Sequence, residues 1–197
     1  MSADVMAVIR VVHLVAALLM AAPLYMLVVV NERGRFAVPP GHNTDRFMEN
    51  IIKNQPRRCY MYLGAILITG LLLLDPTTGG YADRLAEWPI LVKLGILVAL
   101  AGTLSYVHLG IQPKVEAVLA GLAPNDVLPE DKRPTLVRFR IRRKRLSSIC
   151  LFLVVTAFIM GVRAFMSYSP LVTLALMVLA ALFAWRVYKR PIPWGWV

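Results

Sequence analysis

The stretch that decides the fold is WPILVKLGILVALAGTLSYVHLGIQPK, which runs from Trp88 to Lys114. Its apolar part is long enough to cross a bilayer, because a membrane-spanning helix needs about 20 residues. The stretch nevertheless carries Lys93 near one end and His108 near the other. An ionisable side chain at the centre of a membrane costs about 3 kcal/mol on insertion scales. Each of the two therefore needs a partner, a cavity or a function.

The rest of the chain has the same apolar character. Of its 197 residues, 58% are hydrophobic, and the mean hydropathy is +0.65, which is well above the value for a soluble domain. Apolar runs of sufficient length recur, whereas the short alternating segments of an outer-membrane barrel do not. The sequence predicts an all-α, polytopic membrane helical bundle that forms a single domain over residues 1–197. Its five transmembrane helices cover approximately residues 11–30, 59–74, 89–112, 146–162 and 171–185.

The lysine and arginine residues are distributed unequally between the two sides of these spans. Six lie in the first loop, nine in the third loop and three after the last span, so that 18 of the 22 share one side. By the positive-inside rule, that side is the cytoplasm. We therefore expect an outside N-terminus, a cytoplasmic C-terminus and a location in the bacterial cytoplasmic (inner) membrane. Topology then accounts for the net charge of +11, and we expect no nucleic-acid partner.

The densest basic run is RFRIRRKR, directly before the fourth span. Its six cations are Arg138, Arg140, Arg142, Arg143, Lys144 and Arg145. Basic side chains beside a cytoplasmic span attract anionic headgroups, by about 1 kcal/mol each. The run is therefore predicted to fix the topology and to bind anionic lipid. The alternative is that it binds an acidic partner, such as another membrane subunit.

Four polar residues fall near the outer ends of four different spans, namely His13, Asp75, Lys93 and Arg163. If the helices pack as a bundle, these residues form one cluster that could hold a small anion, a quinone head or a metal. His13 would then be a ligand or a proton acceptor. The alternative is that each side chain reaches interfacial water separately. We expect His13 and Lys93 to face the interior and to approach each other, with Asp75 neutralising Lys93.

A haem b held between His13 and His108 is a further arrangement to test against the sequence. Both axial ligands of one haem must share a level, whereas these two residues are roughly 20 Å apart along the membrane normal at the rise of an α-helix. A shared haem is therefore not expected. His108 either bonds a carbonyl or the inner headgroups, or acts as a ligand on its own. Cys59 and Cys150 are isolated and lack metal-binding spacing, so they are predicted to be reduced thiols.

Three segments resemble the superfamily around the copper-resistance membrane protein CopD, and especially a related family of small integral membrane proteins of unknown function. They are VVHLVAALLM around His13, YLGAILITGLLLL in the second span and LVKLGILVALAGTLSYVHLGIQP in the third. The resemblance covers roughly the first 120 residues. It implies a helical bundle that is associated with haem or copper in some relatives.

Two classes of function remain open. The first is a non-catalytic integral membrane subunit or accessory protein of a larger membrane complex, because no nucleophile–base motif, phosphate loop or metal spacing is present. The second is a haem b- or copper-binding redox or transport protein that uses His13 and the outer polar cluster. Anionic lipids and other membrane subunits are the expected partners, and no catalytic residue is predicted.

Overall fold

The computed structural model describes residues 2–32, 42–74, 83, 85–122, 126, 128–163, 166 and 169–189. Five long helices account for almost all of these residues, and none of these ranges contains a strand. In chain order the helices are α1 (Ala3–Glu32), α2 (His42–Leu72), α3 (Trp88–Leu119), α4 (Arg133–Arg163) and α5 (Pro170–Lys189). The all-α prediction is confirmed.

Four of these helices are long and apolar enough to span a membrane, namely α1, α3, α4 and α5. Large apolar side chains are exposed along them, among them Val8, Val98 and Leu179. Exposed apolar surface of this extent is typical of contact with lipid. These features support the predicted multi-pass membrane protein. The helix α2 is not among the four, because its first half is polar and only its second half is apolar.

The helices extend beyond the predicted spans. Helix α2 begins at His42, inside the segment predicted as a loop, and α4 begins at Arg133, well before its apolar part. Helix α3 continues to Leu119, past the predicted end of its span. The predicted bounds are those of the apolar spans, and apolar length marks the part of a helix inside the bilayer and not its polar continuation.

Helix α3 contains Pro113, and the turn of the helix directly before this proline is wider than an α-helical turn. Residues Tyr106–Ile111 are π-helical, and the N–H of Gln112 donates to the carbonyl of Val107, five residues earlier. A proline has no N–H to donate and normally ends or kinks a helix. The π-turn directly before Pro113 accommodates this interruption, and an α-helix resumes over Gln112–Leu119.

The helices pack as an antiparallel bundle. Helix α4 contacts α1, α3 and α5, and α1 also packs against α2. His13 at the start of α1 bonds Thr69 near the end of α2, and Gln112 of α3 bonds Glu49 near the start of α2. We call the end of the bundle at which α1 and α3 begin the Lys93 end, and the opposite end the Arg143 end.

Tight packing is confined to the middle of the bundle and the Arg143 end. One buried cluster contains side chains from α1, α2, α3 and α4. Its members are Met20, Leu24, Cys59, Leu63, Leu100, Leu104, Cys150, Leu151 and Val154. A second joins α3 to the start of α4 through Val107, Ile111, Val115, Leu119 and Leu136. The Lys93 end has no such cluster among the described residues, and a cavity lies there instead.

Candidate functional site

The cavity at the Lys93 end has a volume of about 380 Å³ and is lined by α1, α2, α3 and α4. This volume is within the range of roughly 300–1,000 Å³ that small-molecule sites occupy. It extends along α1 from Arg10 to Met20 and along α3 from Ile90 to Leu100. At the α-helical rise this is a slot roughly 15 Å long. Its walls are mainly apolar, and the charged or ionisable side chains among its described lining residues are Arg10, His13 and Lys93.

The ring of His13 has a defined orientation. Its Nδ1 lies 2.8 Å from the hydroxyl oxygen of Thr69, and that hydroxyl donates to the carbonyl of Ala65 at 2.5 Å. Because the Thr69 proton is already engaged, Thr69 accepts from Nδ1–H of His13. In the neutral ring this leaves Nε2 as an acceptor. His13 is thus prepared to accept a proton, a hydrogen bond or a metal.

Thr69 and its neighbours also fix the position of this ring in space. A Cβ atom added at Gly70 would lie 3.4 Å from Cε1 of His13, so the ring packs closely against the α2 backbone. The backbone of Ile66 is a further hydrogen-bond partner of the ring. Sequence reasoning gave no sign of Thr69, because single threonines are common in apolar helices.

Lys93 lines the same cavity and lies near enough for its charge to act on the ring of His13. It is half-buried, and no ion pair or hydrogen bond joins its ammonium group to the described part of the chain. Asp75, which was predicted to neutralise it, lies outside the described residues. Arg163 is exposed and does not line the cavity.

The structure therefore places two of the four predicted cluster residues, His13 and Lys93, in one cavity. It adds Arg10, which the sequence analysis did not include in the cluster. The signal was its spacing, because residues three apart on a helix lie on the same face. Arg10 and His13 are such a pair.

His108 is in a different part of the bundle. It belongs to the π-turn of α3 and does not line the cavity. The ring of Tyr60 meets it edge-on at 6.3 Å between centroids, and its buried Nδ1 has no hydrogen-bond partner within the described ranges. His13 and His108 thus do not share a site.

The basic run before the fourth span is divided between the surface and the interior. Arg138, Arg142 and Arg145 are exposed, whereas Arg140, Arg143 and Lys144 are buried. The structure thus corrects the placement predicted for the buried three, which face the other helices and not lipid or a partner. The binding prediction stays for the exposed three. Two of these, Arg142 and Arg145, lie over the rings of Tyr106 and Tyr188 at 5.4 and 5.1 Å.

Arg143 is the centre of a buried polar network that links four helices. Its side chain is fully buried. Its Nε and one terminal nitrogen donate to Oδ1 of Asn31 at 3.0 and 2.9 Å. The guanidinium also donates to Glu49 at 2.6 and 3.1 Å and to Gln112 at 2.6 Å. One cation from α4 thereby bonds to α1, α2 and α3.

The neighbouring cations of this network are paired as well. Arg140 donates to Asp45 at 2.6 Å and lies 3.5 Å from Glu49, and Lys144 pairs with Glu32. Three buried cations, Arg140, Arg143 and Lys144, thus face three carboxylates, those of Glu32, Asp45 and Glu49. The sequence contained the signal, since positions 140, 143, 144, 147, 151 and 154 lie at the three- and four-residue spacing of one helix face. All six are buried.

Within the described ranges, no group of three or more His, Cys, Asp or Glu side chains is placed to hold a metal ion. The cavity itself offers one imidazole, from His13, and one thioether, from Met20. No family model matches this chain, and neither a curated protein nor a solved structure matches it.

Proposed function

We propose that this chain is a multi-pass membrane protein that binds a small, largely apolar ligand in the cavity at the Lys93 end. His13 and Lys93 are its polar contacts. The observation behind this proposal is the combination of apolar walls with an ammonium group that has no partner among the described residues. A charged group in such surroundings is a functional site by default.

The proposed topology has five spans, with the Lys93 end outside and the Arg143 end in the cytoplasm of a bacterial inner membrane. The support is the distribution of 18 of the 22 basic residues on one side. The fifth span is the second half of α2, where Met61, Ile68 and Leu72 are exposed apolar side chains. Reporter fusions after Gly80 and at the C-terminus test the topology, and a cytoplasmic report after Gly80 contradicts it.

The cavity fits a haem b better than it fits copper. His13 would be the residue that holds the iron, and the positive charges of Lys93 and Arg10 would attract the haem propionates. A haem would supply electron transfer. Among the described lining residues, the donors for copper are His13 and the thioether of Met20, and Met20 is packed within the central apolar cluster. The residues present therefore do not fit a copper ion.

A second candidate function is that of a non-catalytic subunit or accessory protein of a larger membrane complex. One observation favours it: the small residues Gly95, Ala99 and Gly102 are exposed along α3. A Cβ atom added at Gly95 or Gly102 would meet nothing within 4 Å. Small residues at this spacing allow close helix packing in membranes, and within the described chain nothing packs on this face. If this candidate is right, changing Gly95 and Ala99 to Leu should shrink the assembly extracted from native membranes.

The ligand-binding proposal is tested with a photoactivatable fatty alcohol, which is uncharged and carries a diazirine on its chain. The wild-type protein is placed in discs of phosphatidylcholine, labelled, digested and mapped by mass spectrometry. Labelling near Met20 and Leu100 should saturate, whereas labelling of the exposed Leu174 and Leu179 on α5 should rise in proportion to the probe. Absorption spectra and metal analysis of the same sample detect haem or copper that was retained.

The control is Ala17→Phe, which fills the cavity from α1 with an apolar side chain. It should remove the saturable labelling and leave that of α5 unchanged. Wild-type labelling that is no more saturable in the cavity than on α5, with no ligand retained, would contradict the proposed function.

A further inference from the structure

We infer that the ligand of this cavity is an amphiphile with one anionic head and an apolar chain, which enters from the bilayer. The inference rests on the proposed function and names the chemical class of the ligand. It combines three features of the slot: the charge at one end, the apolar floor, and an opening whose edges are apolar.

The charged end of the slot recognises an anion. Lys93 and Arg10 both line it, and no acidic residue is among the described residues that line the cavity. Lys93 is half-buried in apolar surroundings, where a cation without a counter-charge is unfavourable. An anionic head beside Lys93 supplies that counter-charge. A carboxylate or a phosphate ester also accepts the charge-assisted hydrogen bonds that an ammonium group donates.

The floor of the slot suits a hydrocarbon chain. Its deep end is formed by Met20, Leu100 and Val154, whose side chains are 1%, 3% and 3% exposed. These residues belong to the central apolar cluster of the bundle. The slot thus changes from cationic to apolar along its length, in the order that a head and a chain would require.

The opening of the slot lies between α2 and α3. Three apolar lining residues on α2 and α3 are themselves exposed, namely Leu67, Leu71 and Leu94, at 40%, 45% and 39%, and Arg10 of α1 is exposed as well. All three are leucines on helices whose outer surfaces are apolar. A molecule dissolved in the bilayer can therefore reach the slot without crossing water, and the apolar floor offers contacts to a hydrocarbon chain that an inorganic anion lacks. This favours an amphiphile over an inorganic anion.

The test compares a photoactivatable fatty acid with the matching fatty alcohol in phosphatidylcholine discs that contain the full-length protein. The two probes share a chain and differ in charge. In the wild-type protein, the acid should label the cavity at a concentration about tenfold or more below that of the alcohol, as expected for one charge-assisted contact. Labelling of Leu174 and Leu179 on α5 measures how much of each probe is in the bilayer.

Three variants test whether Lys93 causes the preference for the acid over the alcohol. Lys93→Met should reduce labelling by the acid to the level of the alcohol, while Lys93→Arg keeps the preference. The matched control is Lys114→Met, which removes an exposed lysine at the other end of α3 and should leave the preference unchanged. If Lys93→Met keeps the full preference for the acid, the inference is overturned.

Competition separates a carboxylate from a phosphate source. Dodecanoate or lysophosphatidic acid should displace the acid probe, and the stronger of the two identifies the head. Equal displacement by the zwitterionic lysophosphatidylcholine overturns the inference. Equal saturable labelling by acid and alcohol also overturns it but leaves the proposed function intact, whereas the absence of saturable labelling by either probe removes both.

Discussion

The cationic side chains at the two ends of the bundle differ in whether they are paired. At the Arg143 end, three buried cations face three carboxylates, and Asn31 and Gln112 complete the bonds of Arg143. At the Lys93 end, Lys93 has no partner among the described residues, and an open slot takes the place of a packed core. The buried cations of one end are paired with carboxylates, whereas the ammonium group of Lys93 at the other end is paired with none of the described residues. This difference is consistent with a structural role for the first end, and it is the basis on which we propose binding at the second.

This comparison also shows why buried charge alone does not identify a functional site. A buried cation whose donors are all used has no capacity left for a ligand, and its removal exposes its partners to desolvation. A cation that lacks a partner has that capacity, and its removal relieves the protein of an unfavourable group. Removing cations from each end therefore tests the difference directly.

The largest effect is expected for Arg143→Met. The change leaves Glu49, Asn31 and Gln112 buried without their shared donor, so the free energy of unfolding should fall by about 3–5 kcal/mol. Titration with sodium dodecyl sulfate in mixed micelles, followed by circular dichroism, measures this. The control Arg142→Met removes the adjacent exposed cation, whose contact with Tyr106 contributes at most about 1 kcal/mol. Equal losses in the two variants would break the comparison between a structural and a surface cation.

A loss of binding without a loss of stability is expected for Lys93→Met at the other end. The free energy of unfolding should stay the same or rise, because an ammonium group without a described partner is replaced by an apolar side chain of similar length. The same titration measures it beside Arg143→Met. A decrease comparable to that of Arg143→Met would show that Lys93 is a structural residue.

The smallest effect is expected for Thr69→Val, which has the shape of threonine but no hydroxyl. His13 loses the acceptor of its Nδ1 proton, so the free energy of unfolding should fall by about 1 kcal/mol. The tautomer should also become mixed, because Thr69 no longer selects Nδ1–H. Nitrogen-15 spectra of labelled histidine rings report the tautomer. If the tautomer is unchanged in Thr69→Val, it is selected by the backbone of Ile66 and not by Thr69.

Parts of the candidate site could be predicted from the sequence. The depth of His13 and Lys93 in their spans was enough to place both near one end, because depth follows from counting residues along a helix. Their sharing of one slot, the engagement of Thr69 and the participation of Arg10 depend on how each helix is rotated. The expectation that His108 lies apart from His13 followed from the same count of residues, and the structure places His108 outside the cavity.

The basic run shows the limit of sequence reasoning. Six cations within eight residues predict a cytoplasmic anchor. The positive-inside rule depends on the number of basic residues beside a span and not on the direction in which each side chain points. Which three turn inward depends on carboxylates at positions 32, 45 and 49, which lie on other helices. The periodic pattern was visible in the sequence, but its meaning required those partners.

The sequence by itself determined that this chain is helical and lies in a membrane. Both follow from local properties. The transfer of each apolar run into the bilayer is favourable by itself, and each helix satisfies its own backbone hydrogen bonds. The tertiary structure alone decided that one end is closed by a charge-balanced network and the other is left with an open, cationic slot. Those outcomes depend on which side chains from four helices meet, and only the packing of the helices brings them together.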